Sequence, residues 1–211
     1  MEMSKPQRAM APLRLDLQVI ADMIEPRTRV LDIGCGDGAL LAYLDRAKGI
    51  DGRGIELSQS GVNACVGHGL SVIQGDADTD LKDYPKHSFD YAVLSQTLPA
   101  TSDPKGVLLD LVRIGRRAIV SIANFGYWRL GLSLLWGGRV AIVDGTAQYW
   151  YDTPNIHPCT IADFVALAHE LGIRIERSVS IDRRGRTRRS GTPRALANLI
   201  DEQAIFLLGK D

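Results

Sequence analysis

The apolar positions of this chain change period from block to block. Val30, Leu31 and Ile33 form a short apolar run, the pattern of a strand buried on both faces. Phe89 to Ser95 and Ala118 to Ala123 read the same way. Between such runs the spacing switches to three and four. Leu13, Leu17, Ile20 and Ile24 fall on one helical face, with Pro12 in the first turn and Pro26 ending the element. This helix is expected to cover an edge of the sheet and shield the floor of a cleft. Ala39 to Leu44 reads as helix. Ser58 caps another that runs to about Val66, before Gly67 and Gly69. Asp103-Pro104 is an N-cap followed by proline, ahead of a stripe of Val107, Leu111 and Ile114. Thr160 caps a helix with Phe164, Leu167, Ala168 and Leu171 on one face. Ile173 to Ile181 alternates apolar and polar, and Ala204 to Leu208 is a last apolar run. Strands that alternate with helices predict an α/β fold.

The chemistry collects at the carboxyl ends of three of these strands. Asp32-Ile33-Gly34-Cys35-Gly36-Asp37-Gly38 joins the first strand to a helix through three alternating glycines. Glycine lets a backbone approach a ligand closely. Gly34-x-Gly36-x-x-Ala39 also fits a relaxed dinucleotide fingerprint, so the glycines alone decide little. Asp32 decides more. A carboxylate there repels a pyrophosphate and suits a ligand carrying an ammonium and a sulfonium. Glu56 ends the next strand, about 20 residues on, where an acid holds ribose hydroxyls. Asp76 ends a third run, Ser71 to Ala77, and is placed to accept from an adenine amine.

Composition narrows the partners. The chain has 211 residues, enough for one α/β domain with a full core. Lys+Arg and Asp+Glu number 25 each, which gives no case for nonspecific polyanion binding. Three cysteines, Cys35, Cys65 and Cys159, lack C-x-x-C spacing and fit a reducing cytosol better than a disulfide scaffold or a zinc site. No stretch approaches the roughly 18 apolar residues of a membrane span. Met1 to Ala11 has no apolar centre and does not read as a signal peptide.

The order of glycine loop, ribose acid and adenine-side acid resembles the class I S-adenosylmethionine (SAM) methyltransferases. The resemblance implies a Rossmann-like sheet of seven strands, mostly parallel with one antiparallel strand, and helices on both faces. It implies SAM or S-adenosylhomocysteine as cofactor, held by Asp32, Gly34, Cys35, Gly36, Glu56, Leu57, Asp76, Ala77 and Ser95. Gln96 joins Ser95 on the methionine side. The last two strands fit the terminal hairpin of that fold.

Two aromatic stretches narrow the resemblance. Asn124-Phe125-Gly126-Tyr127-Trp128-Arg129 and Trp150-Tyr151-Asp152-Thr153-Pro154-Asn155-Ile156-His157 bound an insert at about 124–158. With Leu13 to Gln18, the glycine loop and Ser95-Gln96-Thr97-Leu98, they resemble the MetW family of methionine-biosynthesis proteins. That resemblance implies a role beside a homoserine O-acyltransferase of the MetX type. Two readings stay open. The insert is an interface for that enzyme, Trp, Tyr, Phe and Arg being typical of interface centres, and the chain is an accessory subunit, which is the favoured reading. The plainer reading of the insert is that its aromatics roof the cofactor cleft. The alternative for the whole chain is an active methyltransferase, with His157 as base and Tyr151 and Asp152 as orienting groups. His157, beside Pro158, also reads as a turn residue. The Arg-rich segment at about 183–194 reads as a solvated loop, with an acidic patch on the acyltransferase as a better partner than nucleic acid.

Overall fold

The computed structural model describes residues 13–139, 156–190 and 195–210. The elements run α1 (Leu15–Met23), β1 (Arg29–Ile33), α2 (Ala39–Lys48), β2 (Asp51–Glu56), α3 (Gln59–Gly67), β3 (Ser71–Gln74), β4 (Phe89–Ser95), α4 (Pro104–Ile114), β5 (Gly115–Ala123), α5 (Trp128–Gly137), α6 (Ile161–Glu170), β6 (Arg174–Ile181), β7 (Thr187–Ser190), α7 (Ala195–Ile200) and β8 (Gln203–Gly209). The strands form one sheet in the order β3-β2-β1-β4-β5-β8-β6-β7. β1 to β5 pair in parallel. β8 runs antiparallel to both β5 and β6, and β7 runs antiparallel to β6.

The expected sheet is therefore present with one strand more. Thr187–Ser190, inside the segment expected to be loop, pairs with β6 at the sheet's edge. Two strands, not one, run against the rest. The arginines hid this strand, because an edge strand can carry charge on every exposed position. The 140–155 part of the aromatic insert lies outside the described residues.

Period-two alternation divides the core. Leu31, Leu94, Val120 and Phe206 face one side of the sheet, beneath α4 and α6. Val30, Val93, Ile119 and Ile205 face the other, beneath α1, α2 and α3. α1 packs Ile20, Ala21 and Ile24 into this second layer with Val179 and Ile205. It thus covers interior strands rather than an edge, because β6 and β7 extend the sheet beyond it. The capping expectations hold: the hydroxyls of Ser58 and Thr160 and the carboxylate of Asp103 accept from backbone N–H groups of Gly61, Asp163 and Gly106. Among the described residues, no helix is long and apolar enough to cross a membrane.

The Phe164 and Phe206 rings stack with centroids 4.3 Å apart, pinning α6 to the middle of β8. Both are fully buried. Phe206→Ala is expected to cost about 3–5 kcal/mol of stability, measured by denaturant unfolding.

Candidate functional site

The parallel strands all end at the same edge, and β3, β2 and β1 are neighbours. The acids at or just beyond their tips therefore lie side by side. The glycine loop folds back on β2: the N–H groups of Gly34 and Cys35 both donate to the Ile55 carbonyl, at 2.8 and 3.1 Å. Gly34 has φ +71°, and a Cβ there would stand 2.6 Å from the Thr97 hydroxyl. Gly36 is also left-handed, at φ +58°, but a Cβ there would meet nothing within 4 Å. One glycine lets the loop close on the end of β4. The other leaves the loop's outer side open.

Glu56 is held in place by that loop. The Gly36 N–H donates to Oε2 at 2.9 Å, and the Ser58 N–H and hydroxyl donate to Oε1 at 2.9 and 2.8 Å. Three of roughly four acceptor sites of the carboxylate are thus filled. Asp32 is different. It is 3 % exposed, and no group among the described residues donates to its carboxylate. Burial first, and the nearby Glu56 charge second, push its carboxyl up to about 7. A buried carboxylate without donors favours a cation beside it.

Asp76 follows β3. Its Oδ1 accepts the Asp78 N–H at 2.9 Å, and its own N–H donates to Asp80 at 2.9 Å. Ala77 packs against the core, while Leu57 is well exposed beside Glu56. Asp78 clamps this loop to the start of α4. Its carboxylate accepts from the Ser102 and Asp103 N–H groups. Burial raises that carboxyl, but these donors and the field of His157 hold it below the ordinary range.

At the tip of β4, Ser95 and Ser121 hydroxyls meet at 3.2 Å. Gln96 takes φ +55°, unusual for a side-chain-bearing residue. Its N–H donates to the Ser121 carbonyl and hydroxyl, at 3.0 and 3.1 Å. Its amide donates to Asp16 at 3.2 Å, and Asp16 takes a two-pronged ion pair from Arg14. Arg14 and Asp16 are site residues that pattern reading missed as such. The signal was a charged Arg-x-Asp pair at the mouth of an apolar helix.

Cys35 and Cys65 bring their sulfurs to 3.7 Å in the core. Burial pushes both thiols up, so they stay protonated and act as packing. His157 lines a groove that Asp32, Glu56 and Asp76 do not line. The N–H groups of Ile156 and His157 both donate to the Pro99 carbonyl at 2.9 Å. The ring lines an apolar groove of about 390 Å³ with Leu98, Pro104, Phe164 and Leu167. Tyr151 and Asp152 lie outside the described residues.

Asn124 opens the aromatic segment and is fully buried. It donates to the Asn198 and Asp201 carbonyls, both at 2.7 Å, and accepts from Gly126 and Ile161 N–H groups at 3.0 and 3.1 Å. All four of its hydrogen-bonding sites are used. It fixes where the chain leaves the sheet for α5.

The family model described as methionine biosynthesis protein MetW matches residues 14–208. The chain belongs to the MetW family. A curated relative, the bifunctional methionine biosynthesis protein MetXA/MetW of Rhodopirellula baltica, is 32% identical over 179 residues, which is 81% of this chain and 29% of the relative. This MetW chain thus spans about three tenths of that relative's length. Among solved structures, a SAM-dependent methyltransferase of Thermotoga maritima, described as a possible histamine N-methyltransferase, matches with TM-score 0.62 at 16% identity, covering 93% of this chain and 87% of the other. One of Archaeoglobus fulgidus matches with TM-score 0.62 at 18% identity, covering 93% and 91%. At such identities the likeness is one of fold: the class I methyltransferase sheet.

Gly34 and Gly36, two of the loop's three left-handed glycines, separate backbone strain from steric clash. Gly36→Ala is expected to lose about 1–2 kcal/mol from its left-handed backbone alone. Gly34→Ala carries the same cost plus the contact with Thr97, so it should unfold at lower denaturant than Gly36→Ala. Parallel urea titrations of the two variants check the order.

Proposed function

We propose that this chain is a SAM-binding accessory subunit of a homoserine O-acyltransferase of the MetX type, working in the cytoplasm. The observation that carries the cofactor half is Asp32, a buried carboxylate with no donor among the described residues, beside a bare glycine loop. SAM carries an ammonium and a sulfonium, the charges such a group favours. The Gly34-Cys35-Gly36 backbone leaves room for close approach. Glu56 holds the ribose through its remaining site on Oε2, or through both oxygens once the Ser58 hydroxyl turns away. Leu57 covers one face of the adenine, and Asp76 and Ala77 line its edge. Ser95 and Gln96 lie toward the methionine end. When bound, SAM supplies a transferable methyl group and a signal, since it is a downstream product of methionine. It can report that signal to an early step if it binds the free and complexed chain unequally.

Two observations support the partner half. A relative carries the MetXA and MetW parts in one chain. In addition, α5 has no buried residue, and Leu134, Leu135 and Trp136 stand 54%, 75% and 78% exposed. Arg129 lies over the Trp128 ring at 5.4 Å. An apolar helix left open in this way suits a partner's surface better than water. His157 in its separate groove favours this reading over one in which it serves as base at the cofactor.

SAM titrated by calorimetry from about pH 5.5 to about pH 8 should bind more tightly as pH rises, then level off above about 7. The sign follows from Asp32, which must be ionised to meet a cation and is protonated below about 7. Well below that point affinity should fall close to tenfold per pH unit. Glu56→Ala should lose most of the binding at every pH. Absence of heat from the unmodified chain would remove the cofactor reading.

Co-expression with the homoserine O-acyltransferase of the same organism should give a complex that co-purifies and raises or lowers acyl transfer. Trp136→Asp together with Leu135→Asp should abolish co-purification without changing the melting temperature. Unchanged acyltransferase activity with and without this chain would remove the subunit reading.

A further inference from the structure

A second cavity, of about 350 Å³, opens at the same end of the sheet as the glycine loop but over β4, β5, β6 and β8. None of the cofactor-site residues proposed above lines it except Gln96. Its floor is apolar: Leu15, Ala123 and Ile181. Its walls carry Arg14, Asp16, Asp182, Arg183, Glu202 and Gln203.

Most of these charges are already used. Asp16 is engaged by Arg14 and Gln96. Asp182 accepts from the Arg184 and Arg186 N–H groups and pairs with the Arg186 guanidinium at 2.8 Å. Two charges are left over. The exposed Arg183 guanidinium and the half-buried Glu202 carboxylate have no partner among the described residues. Glu202 is fixed through its backbone, whose N–H donates to Ile181 and whose carbonyl accepts from Asn124. The side chains of Gln203 and the Oε1 of Gln96 likewise receive no hydrogen bond from the described residues.

The lining therefore offers one spare cation, one spare anion, two amides and an aliphatic floor. A phosphate or a nucleotide would face the carboxylates of Asp16, Asp182 and Glu202. A polyamine would face Arg14 and Arg183. A small zwitterion instead brings one charge of each sign, one for Arg183 and one for Glu202. In an α-amino acid both charged groups are borne by one carbon, and its side chain has the apolar lining residues Leu15, Ala123 and Ile181 to lie on. The strained backbone of Gln96 belongs to the same picture. It is held left-handed by Ser121 on one side and Asp16 on the other, and backbone strain kept up by several bonds clusters at ligand sites.

We infer that this cavity binds a small aliphatic α-amino acid, with Arg183 taking its carboxylate, Glu202 its ammonium, and Gln96 and Gln203 the polar tip of its side chain. Gln96 is shared with the methionine end of the proposed SAM hollow, so an amino acid here sits beside the cofactor rather than in its place. The same zwitterionic head group has two sources, a free amino acid or the methionine part of SAM, and the test separates them.

Calorimetric titrations of the full chain use L-homoserine and L-methionine as probes, with S-adenosylhomocysteine saturating. S-adenosylhomocysteine titrated alone reports on the cofactor reading in the same samples, so the failure of either reading is seen by itself. The expected result is heat from at least one amino acid and none from its deaminated or decarboxylated counterpart. Glu202→Gln and Arg183→Gln should each weaken that binding at least tenfold while leaving S-adenosylhomocysteine within twofold. Arg184→Gln, a charge change on the same turn outside the lining, should change neither. No heat from either amino acid overturns the inference, as do unchanged affinities in Glu202→Gln and Arg183→Gln. If those two variants weaken S-adenosylhomocysteine instead, the cavity holds the cofactor's own head group and the inference falls.

Discussion

A buried carboxylate, Asp32, to which no described residue donates is the constraint around which the rest of this structure is arranged. Asp32 sits in the sheet's interior, two residues before Gly34, with the Glu56 charge close enough to act on it. Folding alone gains nothing from such a group, and two acids brought together in low dielectric oppose each other. The surroundings nevertheless hold both in place. The glycine loop bonds to Ile55, Gly36 and Ser58 bond to Glu56, and Gly61 lets α3 come down on the Glu56 stem. The arrangement makes sense as a receptor whose missing positive charge arrives with a ligand.

The same logic is repeated, more weakly, on the other side of β4. Gln96 is pinned between Ser121 and Asp16, and it lines a cavity with Arg183 and Glu202, whose charges have no partner among the described residues. Two hollows thus share one strand tip. If ligands occupy both hollows as proposed, Gln96 is the residue through which one would alter the binding of the other.

A third feature lies away from both hollows. Asn124, with all four hydrogen-bonding sites filled inside the core, directs the chain out of the sheet and into α5. Buried, fully satisfied amides rigidify what they tie. The outcome is a rigid root for a helix that is itself uncovered. Ligand hollows at the strand tips and an apolar helix anchored at the end of β5 are mechanically close, since Ala123 lines the second cavity and Asn124 follows it.

The sequence alone determined most of the parallel strands, because a strand buried on both faces, such as the one carrying Val30, Leu31 and Ile33, is mostly apolar, and it determined the helix starts, because Ser58, Asp103 and Thr160 act on N–H groups within three residues of themselves. The tips at Asp32, Glu56 and Asp76 were legible for the same reason: a parallel sheet puts successive carboxyl ends on one edge. The tertiary structure decided what depends on residues far apart in the chain. β7 was concealed by its arginines, since edge pairing leaves no apolar mark. The place of α1 depended on how many strands lay beyond β8. The place of His157 in the groove of α4 and α6 depended on the Pro99 carbonyl, which takes both N–H groups of its turn. The pairing of Arg14 with Asp16 beneath Gln96, and the two unspent charges at Arg183 and Glu202, come from four separate segments that meet only when the sheet is complete.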